Sequence, residues 1–408
     1  MRTAPFTLGR AWDLLESLLP LFASCPELDG VEPAGDVRRF EPLVSALVIV
    51  ARAADPERAI DALARQRELT DVVERTARRL VVRFRLAQVD VRVAPRDEFG
   101  TVLFTATGTA AHVSAVRQRT TPGFAATEPD VYRQAGLPFI PPEIRAGTDE
   151  IELARQGRVP ALVAREDIRG DLHMHTTFSD GRDSLTEMVT ACATLGYEYI
   201  AITDHSVGAS ASRTVTIDQL ARQRDEIERL REQFPSLAIL HGIEADILPD
   251  GRLDFPDAVL AGLDIVLASL HERDGQSGAR LTDRCVAAIR HPLVTVITHP
   301  SNQLVGQREG YDLDYPRLYA AAAETGTALE IDGAPGHLDL DGEHAREAVA
   351  AGVTVSIDSD CHRARSLERQ MWLGVGTARR GWVEPRHVLN TRPMAEVRAF
   401  IDAKRGQG

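Results

Sequence analysis

Twelve histidines are spread along this 408-residue chain, and six of them, His173, His175, His205, His271, His299 and His362, stand at the ends of short apolar runs. Carboxylates keep the same phase, with Asp204, Glu244, Glu330 and Asp360 closing runs of the same kind. Imidazole with carboxylate is the donor set for clustered Zn²⁺, Mn²⁺ or Fe²⁺, and it does not favour the all-oxygen cage of calcium. Sites that hold several such ions activate water near neutral pH and clamp the oxygens of a phosphoryl group. The stretch GDLHMHTTFSDG, from Gly170 to Gly181, opens the series. Alternate residues of a strand project to one side, so His173 and His175 should leave one strand end together, ready to share a cation. The Thr-Thr-Phe-Ser-Asp-Gly that follows has turn chemistry and should carry Asp180 back to the same point.

The elements that must position these groups follow from the rhythm of the chain. From Arg169 onward, short apolar runs alternate with helical segments such as SLTEMVTACATLG and DQLARQRDEIERLREQF, the βα pattern of a parallel sheet or barrel. The runs read IRGDLHMH, YEYIAITDH, AILHGIEAD, LDIVLASLH, LVTVITHP, TALEIDG and TVSIDSDCH. Each delivers a histidine or a carboxylate at its C-terminal end, the face of a βα barrel where loops converge on the axis. The other six histidines, among them His112, His241, His291 and His387, fall at positions that read as ordinary.

Composition narrows the classes. The length predicts two or more domains, and 44% hydrophobic with 26% charged residues is that of a globular protein. No uninterrupted apolar run approaches the roughly 20 residues that span a bilayer, so no membrane role and a cytoplasmic location are expected. Cys25, Cys192, Cys285 and Cys361 form no CxxC pair, which suits a reducing compartment. The net charge of −13 lies in the second part of the chain: residues 1–165 carry 22 Arg against 22 acids, and residues 166–408 carry 25 Lys plus Arg against 38 acids. Such a surface attracts cations and repels phosphate chains, so any affinity for DNA should be modest. Lys404 is the only lysine, which argues against imine-forming chemistry.

Residues 1 to about 118 read as an α+β unit. Leu14, Leu15, Leu18 and Leu19 make a helical stripe, Glu41 to Ala51 a buried strand, PERAIDALARQ a helix, and LVVRFRLAQVDVRVAP a strand pair. The Pro- and Gly-rich stretch from Gly123 to Val163 reads as a linker packed along the surface of its neighbours, with Pro141 and Pro142 fixing an extended path.

HMHTTFSDG, ITDHS, GIEADILPDG, ASLH, THP, EIDGAP and DSDCH resemble, in order and spacing, the motifs of the PHP (polymerase and histidinol phosphatase) family of metallophosphoesterases. The likeness is strongest to the PHP domain of bacterial family X DNA polymerases, with GVGTARRGWVEPRHVLN similar to its terminal motif, and it covers about residues 165 to 392. The resemblance implies an α/β fold, a distorted (β/α)7 barrel, preceded by a smaller α+β nucleotidyltransferase-like domain. It also implies three divalent metals, Mn²⁺, Zn²⁺ or Fe²⁺. Carried over residue by residue, His173, His175, Glu244 and Asp360 would hold one metal, with Glu244 bridging. The second would take Glu244, His271 and His299, and the third Asp180, His205 and His362. Asp204 would orient a metal-binding histidine, or cap a helix, and Arg308 in VGQREGY would contact phosphate. Cys361 should turn away from the metals and pack.

The first part resembles the palm and thumb of the same polymerases, with AGDVRR where a triphosphate-binding motif is expected. Ser45 and Leu47 stand where the resemblance places two metal-binding aspartates, and only Asp90 remains. One carboxylate cannot hold two magnesium ions against water, so nucleotidyl transfer should be absent. The expected organisation is a degenerate palm and thumb over 1–120, a linker and thumb remnant over 121–165, and a PHP domain over 166–408. The implied substrate is a DNA end, processed by a 3′-5′ exonuclease or 3′-end nuclease. The alternatives are a small phosphorylated molecule, as for the histidinol phosphatase branch, or a scaffold with no substrate.

Overall fold

The computed structural model describes residues 4–119, 123–209 and 211–406. The chain divides into two compact units, Met1–Pro160 and Ala161–Gly408. In the first, β1 (Phe6–Thr7), β2 (Gly30–Ala34), β3 (Leu43–Val44), β4 (Leu47–Arg52), β5 (Thr70–Arg75), β6 (Arg79–Phe84) and β7 (Ala87–Ala94) form a small β1-β3 pair and a five-stranded sheet of order β2-β4-β7-β6-β5. Only the β4–β7 pairing is parallel within that sheet. The apolar run from Glu41 to Ala51 is split rather than continuous. The Ser45 amide donates to Asp36 Oδ2 at 3.1 Å, which takes it out of the ladder and separates β3 from β4.

The segment expected to run extended from Gly123 to Val163 instead carries helices at Glu128–Gln134 and Glu150–Arg155. Buried polar bonds fix it to the first unit. Glu128 accepts from Arg38 at 2.6 Å and pairs with the fully buried Arg145, while His112 bridges Glu150 (2.6 Å) and Tyr132 (2.8 Å). Charges this deeply buried persist only when paired, so these contacts tie the segment down.

The second unit is a seven-stranded parallel sheet: β8 (Gly170–Asp171), β9 (Tyr199–Ile202), β10 (Ala238–Asp246), β11 (Ile265–Ser269), β12 (Val296–Thr298), β13 (Ala328–Asp332) and β14 (Val355–Asp358), neighbours in chain order. This is the distorted (β/α)7 barrel that the resemblance implies. Helices stand between successive strands, and two start on reciprocal caps, Ser184 with Glu187 and Thr216 with Gln219. Alternation sorts the strand residues. Tyr199, Ala201, Leu240, Ile265, Leu267, Val296 and Ala328 pack with Leu389, Val397 and Ile401, the last two from the helix Met394–Arg405. Ile200, Ile202, Ile239, Ile243, Val266 and Ile297 pack with the helices between the strands. Among the described residues no helix is long and apolar enough to cross a membrane.

Strand pairing leaves β8 and β14 at the two ends of the sheet, and side chains close the gap. Asp358 Oδ1 accepts from the Leu172 amide (2.8 Å), Asp171 Oδ1 accepts from the Ser359 amide (3.1 Å), and the His175 amide donates to Cys361 O (2.9 Å). Asn390 lies across the seam, donating to Gly170 O (2.9 Å) and accepting from the Ile357 amide (3.1 Å). Removing its amide in Asn390→Ala would leave buried partners unpaired, at a cost of about 3 kcal/mol. The expected result is a lower unfolding temperature in calorimetry with faster hydrogen exchange at Leu172 and Ser359; unchanged exchange at both would show that the seam does not depend on Asn390.

Candidate metal centre

The C-terminal strand ends bring all nine histidines and carboxylates assigned to metals into one cluster. His173 and His175 follow β8, and their Nε2 atoms lie 3.1 Å apart. Asp360, just past β14, reaches them with Oδ1 at 3.6 and 3.0 Å. Glu244 projects from β10 on the face of Leu240 and is fully buried. Around its carboxylate stand His173 (3.4 Å), His205 (2.7 Å), His271 (3.6 Å) and His299 (2.9 Å). Asp180 lies 3.1 Å from His362 and 3.6 Å from His205. One donor atom from each of His175, Asp180, His205 and His362 falls within 4.8 Å of the others, as do those of His173, His175 and Asp360, and of His205, Glu244 and His271. The grouping departs from the expected partition in two ways: His175 also sides with the Asp180 group, and His205 stands against Glu244.

The backbone takes unusual paths to achieve this. Thr298 Oγ1 and His299 Nε2 both reach Glu244 Oε1, each at 2.9 Å. Consecutive residues of a regular strand point to opposite sides, so one carboxylate can receive both only if alternation breaks; His299 has φ 26° and Asp360 φ 47°. Positive φ is costly for non-glycine residues and concentrates at functional sites. In the opening turn, a Cβ at Gly181 would fall 2.6 Å from the Thr176 backbone, so the turn that returns Asp180 requires glycine there.

Orientation of the imidazoles comes from carboxylates behind them. His173 Nδ1 faces Glu330 at 2.7 Å, and a proton shared on that side leaves the Nε2 lone pair for the cluster. His271 Nδ1 pairs with Asp246 at 2.9 Å. Asp246 was not singled out from the sequence, although it follows Glu244 by two residues and alternation places it on the same face. Asp204 corrects the expectation that it orients a histidine. Its Oδ1 accepts from the amides of Thr176 (2.7 Å) and Ser179 (3.1 Å), and its Oδ2 from Thr176 Oγ1 and Gln223 Nε2, both 2.6 Å. It therefore fixes the Thr176–Ser179 turn and, through it, the place of Asp180. Arg308 is exposed, and its guanidinium donates to Asn302 O and Oδ1 at 2.8 Å. Asn302 in turn donates to His271 O at 2.7 Å, which leaves Arg308 on the loop beside the cluster rather than in it. Cys361 is buried in the apolar core with Sγ toward Arg363 O, as alternation predicts.

The electrostatics suit cations. Burial, then the neighbouring His205 and His362, hold His175 down to about 3, so its ring stays neutral and able to ligate. Burial raises the Asp180 carboxyl, but His362 and His205 outweigh it and bring it down to about 2. Glu244 also sits well below the usual range, the surrounding histidines overcoming its burial. The buried atoms Glu244 Oε2, His205 Nδ1, His175 Nδ1 and Asp180 Oδ1 make no hydrogen bond. Buried polar atoms are rarely left so, and acceptors that face one another at 2.7 Å fit a shared cation. The residues present therefore fit divalent metals.

The PHP domain family matches residues 171–326. The DNA polymerase/3'-5' exonuclease PolX of Bacillus subtilis is 39% identical over 335 residues, covering 77% of this chain and 58% of the relative, so the chain spans less than two thirds of that protein's length. A probable phosphatase of Caldanaerobacter subterraneus is 30% identical over 203 residues, 47% of this chain and 75% of the relative. The solved histidinol phosphate phosphatase of Lactococcus lactis, complexed with zinc, L-histidinol and phosphate, is 16% identical, covers 52% of this chain and 93% of its own, and superposes with a TM-score of 0.40.

Asp246→Ala should leave His271 free to turn and lower the affinity for Mn²⁺ by about 10- to 100-fold, read by calorimetric titration of metal-stripped protein. An unaltered affinity would mean that His271 does not depend on Asp246 for its orientation toward a metal. With motifs, barrel and converging donors agreeing with the family match over residues 171–326 and with a relative 30% identical of which this chain covers 75%, the chain belongs to the PHP family of metallophosphoesterases.

Proposed function

We propose that this protein is a metal-dependent phosphoesterase that trims DNA at 3′ ends, with a first unit that no longer transfers nucleotides. The observation that carries the reading is the convergence of nine histidines and carboxylates, four of which, His175, Asp180, His205 and Glu244, each keep a buried polar atom without a hydrogen bond. Divalent cations bound there would supply Lewis acidity toward a phosphoryl oxygen and lower the pKa of water. His173, His175, Glu244 and Asp360 would hold one ion, Glu244, His271 and His299 a second, and Asp180, His205 and His362 a third, with His205 and His175 close enough to serve a second group. Glu330 and Asp246 keep two imidazoles aimed inward, and Asp204 keeps the Asp180 turn in place. Arg308, on an exposed loop beside the cluster, is suited to meet a substrate phosphate once released from Asn302.

Similarity to the Bacillus subtilis protein favours DNA. It covers 77% of the chain, more than residues 161–408 make up, so it reaches into the first unit. Within that unit the lone Asp90 accepts from Arg79 at 2.9 and 3.2 Å and from Arg92 at 3.1 Å. Burial would raise its carboxyl, yet the two arginines hold it below the usual range, and cations already occupy the place of a metal. A phosphatase acting on small esters is the second reading. It is favoured by the acidic second half, which repels a phosphate chain.

With Mn²⁺ and 3′-labelled single-stranded or gapped DNA, the protein should produce a ladder of shortened products, and His175→Ala should slow it by about 100-fold or more. Phosphate released only from a panel of small phosphomonoesters would favour the second reading, and inactivity toward both with metals bound would favour a scaffold. Primer extension with dNTPs should be undetectable; Mg²⁺-dependent extension abolished by Asp90→Asn would overturn the account of the first unit.

A further inference from the structure

A fourth group of donors lies on the β13–β14 side of the cluster. Asp332 ends β13, His337 follows on the next loop, and one donor atom from each lies within 4.8 Å of the other and of one from Asp360. Asp332 shares the inward face of β13 with Ala328 and Glu330 and is fully buried. Its Oδ1 accepts from the Ala334 amide at 2.5 Å, while Oδ2, equally buried, makes no hydrogen bond. His337 is half-buried, and its Nδ1 is likewise shielded from solvent and without a hydrogen-bond partner. The His337 ring stacks on His299, with centroids 5.3 Å apart and planes at 25°. In the sequence His337 falls among the histidines that read as ordinary; the loop after β13 folds it back over the strand ends.

Buried polar atoms are rarely left unpaired, and two such atoms beside a third donor are what a bound cation would satisfy. We infer that Asp332, His337 and Asp360 form a further divalent-cation site, flanking the main cluster and sharing Asp360 with it. Two carboxylates suit the oxygen-preferring Mn²⁺, and the imidazole also admits Zn²⁺. The site rests on the metal-centre reading only through Asp360, because Asp332 and His337 belong to none of the three ligand sets given above. His337 is partly buried, as Asp180, His271 and His362 are in the main cluster, so an ion held there could take a phosphate oxygen of an incoming substrate.

The test is an equilibrium titration of the metal-stripped full chain with Mn²⁺ alone, counting bound ions from the electron paramagnetic resonance of the free ion. Asp332→Asn and His337→Phe should each bind one Mn²⁺ per chain fewer than the native protein. His337→Phe keeps a ring against His299, so a loss there reads the ligand rather than the packing, and it retains the test if Asp332→Asn does not fold. The native number of ions in the folded variants would overturn the inference. His175→Ala serves as the comparator: if it too binds the native number, the main centre is misassigned, whereas a loss confined to His175→Ala leaves that centre standing and removes only the fourth site.

Discussion

The seven strands of the second unit form a ladder with two free ends, and the site depends on how those ends meet. Asp171 and Asp358 cross the gap, each accepting from the backbone amide beside the other. Burial and the neighbouring Asp358 raise the Asp171 carboxyl, and burial raises that of Asp358, as expected of two carboxylates held close together away from water. Because the seam closes, His173 and His175 from the start of the barrel stand against Asp360 and His362 from its end. Without that closure, the first and last contributions to the cluster would belong to opposite edges of an open sheet.

Glu244 is the second constraint. It stands above the apolar layer of Tyr199, Leu240, Ile265, Val296 and Ala328, with histidines from four other strand ends around it. That layer excludes water from below, which strengthens every charge interaction above it. The price is local backbone strain: His299 and Asp360 leave the regular strand with positive φ so that their side chains turn inward. The hydrogen bonds of Thr298 to Glu244 and of the His299 amide to Glu330, at 2.9 and 2.7 Å, hold one of these distortions in place.

The two units treat carboxylates in opposite ways. In the first, Asp90 is neutralised by Arg79 and Arg92, and Glu128 by Arg38 and Arg145, so buried acids are satisfied by fixed cations. In the second, the cluster carboxylates face imidazoles and lone pairs, and their charge awaits a mobile cation. Arginine pairing stabilises a fold and leaves nothing to bind, whereas opposed lone pairs favour a bound cation.

Much of the site was legible along the chain. Strand alternation and the βα rhythm are local properties, and they were enough to place six histidines and their carboxylates at the C-terminal face. Asp246 was equally within reach, since a period of two carries it to the face of Glu244. Other features depend on which distant segments return to one another. Asp204 fixes a turn rather than a histidine because Thr176 and Ser179 fold over it, His337 reaches His299 because of the loop after β13, and the two short helices within 123–160 are held down because Arg145, Glu128, His112 and Glu150 find buried partners. The sequence by itself determined the strands, their order and the donors at their ends. Tertiary structure decided how those donors are grouped and aimed, because the long-range contacts that break alternation and close the seam have no period from which they could be read.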